Sequence, residues 1–280
     1  MENLFTEQVE VEEVVLKGLE KRRMFRDQAL NRAGQTGINN LGSLMVVDEY
    51  NNSTDLWVRF PQGHMVNCTW QQFQNGSIKN VYDKSKFGIG YIGEGDYKVS
   101  INGEFTRQYL TWSSMLMRSY SKKFHEKHPT YKGCTVVEEW HNYQNFAAWY
   151  DQNFYEIDGH RMDLDKDILI RGNRLYSPET CVFVPQFINT LFVKREASRG
   201  SLPVGVRVDK SSRKNPYMAR SGDNKGAQIF LGNYNTPELA FYAYKEFKEK
   251  VIKEVSEEYR DKIPAVLYNA MLSYTVEIDD

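Results

Sequence analysis

The sequence has little cysteine and no long apolar run. Cys68, Cys134 and Cys181 are scattered without a C-x-x-C pair, and so odd and sparse a set suits free thiols in a reducing compartment better than a disulfide framework. No hydrophobic stretch approaches the roughly 18 residues that a membrane-spanning helix needs, so a helical membrane protein is excluded. The first residues, MENLFTEQVEVEE, carry acids where a signal peptide needs basic and then apolar residues, so the expected location is the cytoplasm. Sequons such as Asn67-Cys68-Thr69 are therefore not expected to be glycosylated. An excess of one charge is missing too: a net charge of −1 removes global basicity as an argument for a nucleic-acid partner. With 41% hydrophobic and 26% charged residues the chain is not disordered, and 280 residues suffice for several small cores.

What is present is unevenly distributed. Between Lys194 and Lys225, nine basic residues (Lys194, Arg195, Arg199, Arg207, Lys210, Arg213, Lys214, Arg220, Lys225) stand against three acids, Glu196, Asp209 and Asp223. A neutral total thus hides a basic segment of the kind that neutralises phosphate. Aromatic residues reach 14%, with 18 tyrosines, and serve binding surfaces as well as cores.

Periodicity predicts an α+β chain of several small modules. Val11, Val14, Val15 and Leu19 recur at helical spacing within a helix from Val9 to about Arg32, whose early acids and late bases suit the helix dipole. An Asn- and Gly-rich linker from Gly34 to Gly42 follows. Short strands at Ser43–Val47, Leu56–Phe60 and His64–Val66, then a hairpin turning at Asn102-Gly103, suggest a barrel-like β module over 34–108. Within it Gly88-Ile89-Gly90-Tyr91-Ile92-Gly93 matches G-x-G-x-x-G, but no helix opens at the last glycine, so a dinucleotide site is not expected. Nor does this compressed string leave room for the two separate strands of a GIY-YIG nuclease.

In 109–197 a helix from Trp112 to Tyr120, with Thr111 as N-cap, precedes a second from Trp140 to Phe154. Strands at Leu164–Ile170 and Thr180–Val184 and a short helix from Pro185 to Phe192 then give strand, loop, strand, helix, the outline of a ββα metal-nuclease finger. In 198–280, strands at Val204–Val208, Pro216–Arg220 and Ala227–Gly232 precede a helix opened by Thr236-Pro237-Glu238. Leu239, Ala243, Phe247 and Val251 are its expected buried stripe. One sheet face is left free.

The last module, through Gly205-Val206-Arg207, Tyr217-Met218-Ala219-Arg220, Ile229-Phe230-Leu231-Gly232-Asn233-Tyr234 and Thr236-Pro237-Glu238-Leu239-Ala240, resembles the plant ethylene-response-factor type of DNA-binding domain, which also occurs attached to phage homing endonucleases. The resemblance implies a sheet laid in the major groove of double-stranded DNA, with Arg207, Lys210, Arg213, Lys214, Tyr217 and Arg220 as contacts. A β-ribbon fits that groove, Arg can bond guanine bidentately, and Lys neutralises phosphate.

The preceding module resembles phage His-Asn-His (HNH) homing endonucleases through Trp112–Tyr120, Tyr131-Lys132-Gly133-Cys134, Val136–Trp140, Leu164-Asp165-Lys166-Asp167 and Tyr176–Cys181. It departs from them where the chemistry is done. The family's Asp-His step reads Asp165-Lys166, its loop asparagine falls at Tyr176 or Ser177, and its second metal-ligand position falls at Thr180. Phosphodiester hydrolysis by such a finger needs a neutral imidazole to activate water and a divalent cation to stabilise the developing charge. Lys166 is a cation rather than a base, Asp165 would be the surviving Mg²⁺ ligand, with Asp163, Asp167 and Glu179 as substitutes, and His160 is the replacement candidate for the base. Relatives place further cysteines where this chain has Ser119 and Val137, so Cys134 and Cys181 are not expected to hold zinc.

The resulting expectation is a phage-type DNA-binding protein derived from an HNH endonuclease, with its nuclease site weakened or inactive. An active Mg²⁺-dependent nickase using His160, and a counter-defence protein that blocks a host nuclease, are the alternatives.

Overall fold

The computed structural model describes residues 2–193 and 201–280; the side chains of residues 2–14 and 29 are not described. Lys194, Arg195, Glu196 and Arg199 of the basic stretch, the boundary at 197/198, and the side chains of Val11 and Val14 lie outside what is described. The chain is α+β and forms two compact units, one of residues 1–97 with 141–144 and one of residues 98–140 with 145–280. Among the described residues no helix is long and apolar enough to cross a membrane.

The first unit starts with α1 (Glu2–Arg32). Val15 and Leu19 of the stripe read from the sequence are exposed rather than buried, as are Leu16, Met24, Phe25 and Leu30. The helix is anchored at its end instead, where the Arg32 guanidinium lies 4.2 Å from the Trp70 ring and 5.0 Å from that of Tyr50. Strands β1 (Thr36–Ile38), β2 (Leu44–Asn52), β3 (Asp55–Arg59) and β4 (Met65–Cys68) form an antiparallel meander in that order, with β1 and β4 at its edges, so the sheet is open rather than a barrel. Alternation buries Met45, Val47, Leu56 and Val58 on one face. The short helix α2 (Trp70–Gln74), capped reciprocally by Thr69 and Gln72, closes that core with Phe73.

The glycine string has a local structural use. Gly93 has φ +73°, and a Cβ there would collide with the Asn142 side chain. The four residues His141–Gln144 dock on this segment: Tyr91 N donates to His141 O, Tyr143 N donates to Tyr91 O, and the Gln144 amide bonds both backbone groups of Tyr97.

In the second unit β5 (Ser100–Ile101) and β6 (Glu104–Phe105) make the hairpin expected at Asn102-Gly103, both of which have positive φ. Helix α3 (Arg107–Tyr120) begins earlier than read from the sequence, because Thr106 and not Thr111 is the N-cap. Thr111 sits one turn inside and donates to Arg107 O. Short α4 (Lys122–Lys127), β7 (Thr135–Val136) and α5 (Tyr143–Asn153) follow. Then come β8 (Met162–Asp165), β9 (Leu175–Tyr176), β10 (Val182–Pro185) and the single turn α6 (Gln186–Asn189). The first of these strands, β8, stops at Asp165 instead of running to Ile170, because the Asp165 carboxylate accepts from Asp167 N and Ile168 N and turns the chain. β8 and β10 pair antiparallel in register Val182↔Asp165 and Val184↔Asp163, and the helix expected from Pro185 to Phe192 is α6 followed by a 3-10 turn at Thr190–Phe192.

Strands β11 (Val206–Val208), β12 (Tyr217–Gly222) and β13 (Gln228–Tyr234) form a second antiparallel meander, crossed by α7 (Pro237–Glu258) and followed by α8 (Ala265–Ser273). Thr236 caps α7 and Pro237 opens it, as read from the sequence. Of the predicted stripe Val251 is buried and Ala243 and Phe247 pack partly buried against the cores, but Leu239 is exposed, and Ala240, Phe241, Ile252 and Val255 are buried as well. Two packing partners explain the difference. The first turns press Ala240 and Phe241 onto Val206 and Ala219 of the sheet, and the later turns press Val251, Ile252 and Val255 onto Val182 and Val184 of β10 and Ile188 of α6, with Leu267 and Met271 of α8. At about 1.5–3 kcal/mol for each large aliphatic side chain buried, this shared helix binds the segments 109–197 and 198–280 into one unit.

Candidate nucleic-acid interface

Strand alternation fixes which residues the second meander offers to solvent. Val206 and Ala219 are buried against α7, so their neighbours Arg207, Met218 and Arg220 belong to the other face. On that face Arg207, Met218 and Asn233 lie in one register row and Arg220 pairs with Phe230. A bulge at Leu231 sets the second pairing, so that Arg220 and Phe230 face each other across β12 and β13, with Phe230 56% exposed. An exposed aromatic beside an arginine gives this face both charge and a stacking plane.

The loop from Asp209 to Pro216 extends the charge. Asp209 N donates to Pro216 O at the base of the loop, and one Asp209 carboxylate oxygen accepts from Ser211 N at 3.0 Å and Ser211 Oγ at 2.6 Å. The other oxygen accepts from Asn233 Nδ2 at 2.9 Å, which ties the loop to the sheet. The Ser211 hydroxyl and amide, with Asn233, hold the Asp209 carboxyl below its usual range, so the loop keeps its anchor charged. Lys210, Arg213 and Lys214 are exposed on it. Among the described residues none of Arg207, Lys210, Arg213, Lys214 and Arg220 forms an ion pair, and the two nearby acids, Asp209 and Asp223, are engaged by loop hydrogen bonds.

Of the predicted contacts, the structure brings Arg207 and Arg220 together on the free face and Lys210, Arg213 and Lys214 to the adjoining loop. Tyr217 goes elsewhere, packing with Val206 and Ala219 on the α7 side. Phe230 was missed as a site residue because Ile229-Phe230-Leu231 reads as one apolar run; only the bulge turns Phe230 outward.

In the β8–β10 segment, Lys166 is buried, and its Nζ donates to Asn173 O at 2.9 Å and pairs with Asp167. The ammonium also lies 5.7 Å from the centre of the buried Tyr176 ring. One oxygen of Asp165 accepts from Asp167 N at 2.7 Å and Ile168 N at 2.8 Å, forming the turn that ends β8. Burial raises the Asp165 carboxyl above its usual range against the pull of these two donors. Thr180 Oγ donates to Leu175 O, and Asp163 pairs with Arg161 at 3.1 Å. The side chains of Asp163, Asp165, Lys166 and Thr180 are thus engaged in turns, hydrogen bonds and ion pairs, and no group of three His, Cys, Asp or Glu side chains converges among the described residues. His160 is exposed, its ring 4.5 Å from Phe187 and 6.4 Å from Tyr259.

Cys134 and Cys181 are buried and free, Ser119 Oγ donates to Met115 O, and Val137 N donates to Tyr176 O. Neither a protein-family model, nor a curated protein, nor a solved structure matches the chain.

Proposed function

We propose that the chain is a phage-type double-stranded-DNA-binding protein that engages the duplex with the outer face of the β11–β13 sheet, on a framework derived from an HNH endonuclease. One observation carries the reading: Arg207, Arg220 and Phe230 share the sheet face opposite α7, flanked by an ordered loop bearing Lys210, Arg213 and Lys214. Arginine and lysine there suit phosphate and guanine, and a three-stranded ribbon has the width the major groove admits. Lys166, clamped on the Asn173 carbonyl and under Tyr176, favours a finger kept for its structure over an active nickase.

The test is binding of full-length protein to duplex DNA across a salt series. Replacing Arg207 and Arg220 together by Ala is expected to weaken binding at least tenfold and to flatten the slope of log K against log salt by up to about two phosphates' worth, roughly 0.9 for each. The reading fails if the wild type shows no salt-sensitive binding, or if the double variant binds like wild type. In that second case a protein partner becomes the better assignment for the face.

A further inference from the structure

A second polar surface is written on α3. Arg107, Thr111, Ser114 and Arg118 are spaced by four, three and four residues, so they form one stripe along the helix, while Trp112, Met115 and Leu116 on the other side are fully buried. The stripe lines a hollow of about 520 Å³ whose other wall includes Arg161 and Asp163. Two of its three arginines have carboxylate partners, Arg107 with Glu156 and Arg161 with Asp163. Arg118 has none within ion-pair distance among the described residues; it is hydrogen-bonded to Tyr131, and Asp165 attracts it from further away. Its guanidinium lies 5.3 Å from the Tyr176 ring centre and 5.9 Å from that of Tyr131, and its Nε is buried without a hydrogen-bond acceptor.

A cation removed from water whose counter-charge lies beyond ion-pair distance, and whose Nε–H has no acceptor, is costly unless an anion completes the site. The lining of the hollow holds Arg107, Arg118 and Arg161 against the carboxylates of Glu156 and Asp163, so positive charge is in excess there. Its size and donors also narrow the ligand. Ser114 lies one turn from Arg118 on the same stripe and can donate from its hydroxyl. Arg107 and Arg161 are largely exposed, with side-chain exposures of 71% and 73%, and exposed ion pairs are weak enough to exchange partners. A tetrahedral group with several charged oxygens can meet Arg118 and Ser114 and draw in a rim arginine at once; a planar carboxylate has fewer oxygens to share.

We propose that this hollow is a phosphate-binding site, anchored by Arg118 with Ser114 as hydroxyl donor, which takes either a small phosphorylated ligand or a backbone phosphate of nucleic acid. It is separate from the sheet face and does not depend on that face binding DNA.

The experiment uses full-length protein with inorganic phosphate as the probe, compared with chloride at equal ionic strength. Phosphate is expected to raise the melting temperature by about 3 °C near saturation and to move the Arg118 Nε–H resonance. Ser114→Ala should weaken the effect and Arg118→Lys should abolish it. Because Arg118→Lys can disturb packing against Tyr131 and Tyr176, the wild-type resonance is the deciding readout. A short duplex is the second arm. If it moves the same resonance, the source is nucleic-acid backbone; if phosphate alone does, the ligand is small. The site is refuted if neither probe moves the Arg118 signal, or if folded Arg118→Lys keeps the full phosphate response, whatever the sheet variants do.

Discussion

Lys166 and Asn173 hold each other reciprocally: Lys166 Nζ donates to Asn173 O at 2.9 Å, and Asn173 Nδ2 donates to Lys166 O at 2.8 Å. Asn173 Nδ2 also reaches Leu175 O, so the pair closes the loop between β8 and β9. At the position that the HNH resemblance would assign to the base, this chain has a loop clamp. Lys166→Met leaves the Asn173 carbonyl without its buried donor and is expected to destabilise the protein by about 1–3 kcal/mol. Asn173→Ala should cost a similar amount, and the double variant less than the sum. Urea unfolding of the four proteins measures this; additive effects would mean that the two side chains stabilise the loop independently.

Gly205 ends the turn into β11 with φ +79°, and a Cβ there would lie inside the Tyr244 ring of α7. Gly205→Ala therefore meets both backbone strain and a clash with a packed aromatic. A loss of about 2 kcal/mol or more is expected. A denaturation midpoint unchanged from wild type would show that α7 shifts away freely.

The parts legible in the sequence are those specified by neighbouring residues. Thr236-Pro237-Glu238 states a helix start through local hydrogen bonding and a preset φ, and Asn102-Gly103 states a tight hairpin through positive φ; the structure has both. Illegible parts depend on distant partners. The buried face of α7 changes along its length because the sheet takes Ala240 and Phe241 while β10 and α6 take Val251, Ile252 and Val255. A single-stripe reading chose Leu239 instead. Arg207 and Arg220 could be named from charge and alternation, but Phe230 needed the bulge at Leu231, and Tyr217 needed the knowledge that its row faces α7. Arg118 was hidden inside a helix whose apolar side drew attention.

The cysteines give a pH prediction. Burial pushes the Cys68 thiol up to about 11 and that of Cys181 up to about 12, and raises Cys134 as well. Between about pH 9 and those values the unfolded chain releases protons that the folded chain keeps. Stability from these groups is complete below about pH 9 and is lost as pH rises through 11–12. Tyr155 and Tyr176, also raised by burial, act in the same direction. Denaturant midpoints should be lower at pH 10.5 than at pH 8. At pH 8 a thiol reagent should label the native protein slowly and all three cysteines rapidly in denaturant, and metal analysis should find no stoichiometric zinc. Fast native labelling of Cys181, or one zinc per chain, would contradict this account.

The last prediction concerns hydrolysis. A working finger needs a base within reach of the attacking water, a cation on oxygen or nitrogen ligands, and access to the scissile phosphate. Lys166 is buried and bonded to Asn173 O, Asp165 spends one oxygen on two backbone donors, Tyr176 is buried, and Thr180 donates to Leu175 O. With Mg²⁺ or Mn²⁺ the wild type is therefore expected to nick plasmid DNA far more slowly than an intact HNH enzyme. Lys166→His should not restore cleavage, because the imidazole would enter a closed loop in which Tyr176, Ser177 and Thr180 remain. It should also lose the Asn173 clamp and unfold at lower urea than wild type. Robust metal-dependent nicking abolished by Asp165→Ala would overturn the weakened-nuclease reading. If His160→Ala abolished it too, the exposed imidazole beside Phe187 would become the base, and the site would lie at the rim of the finger rather than at Lys166.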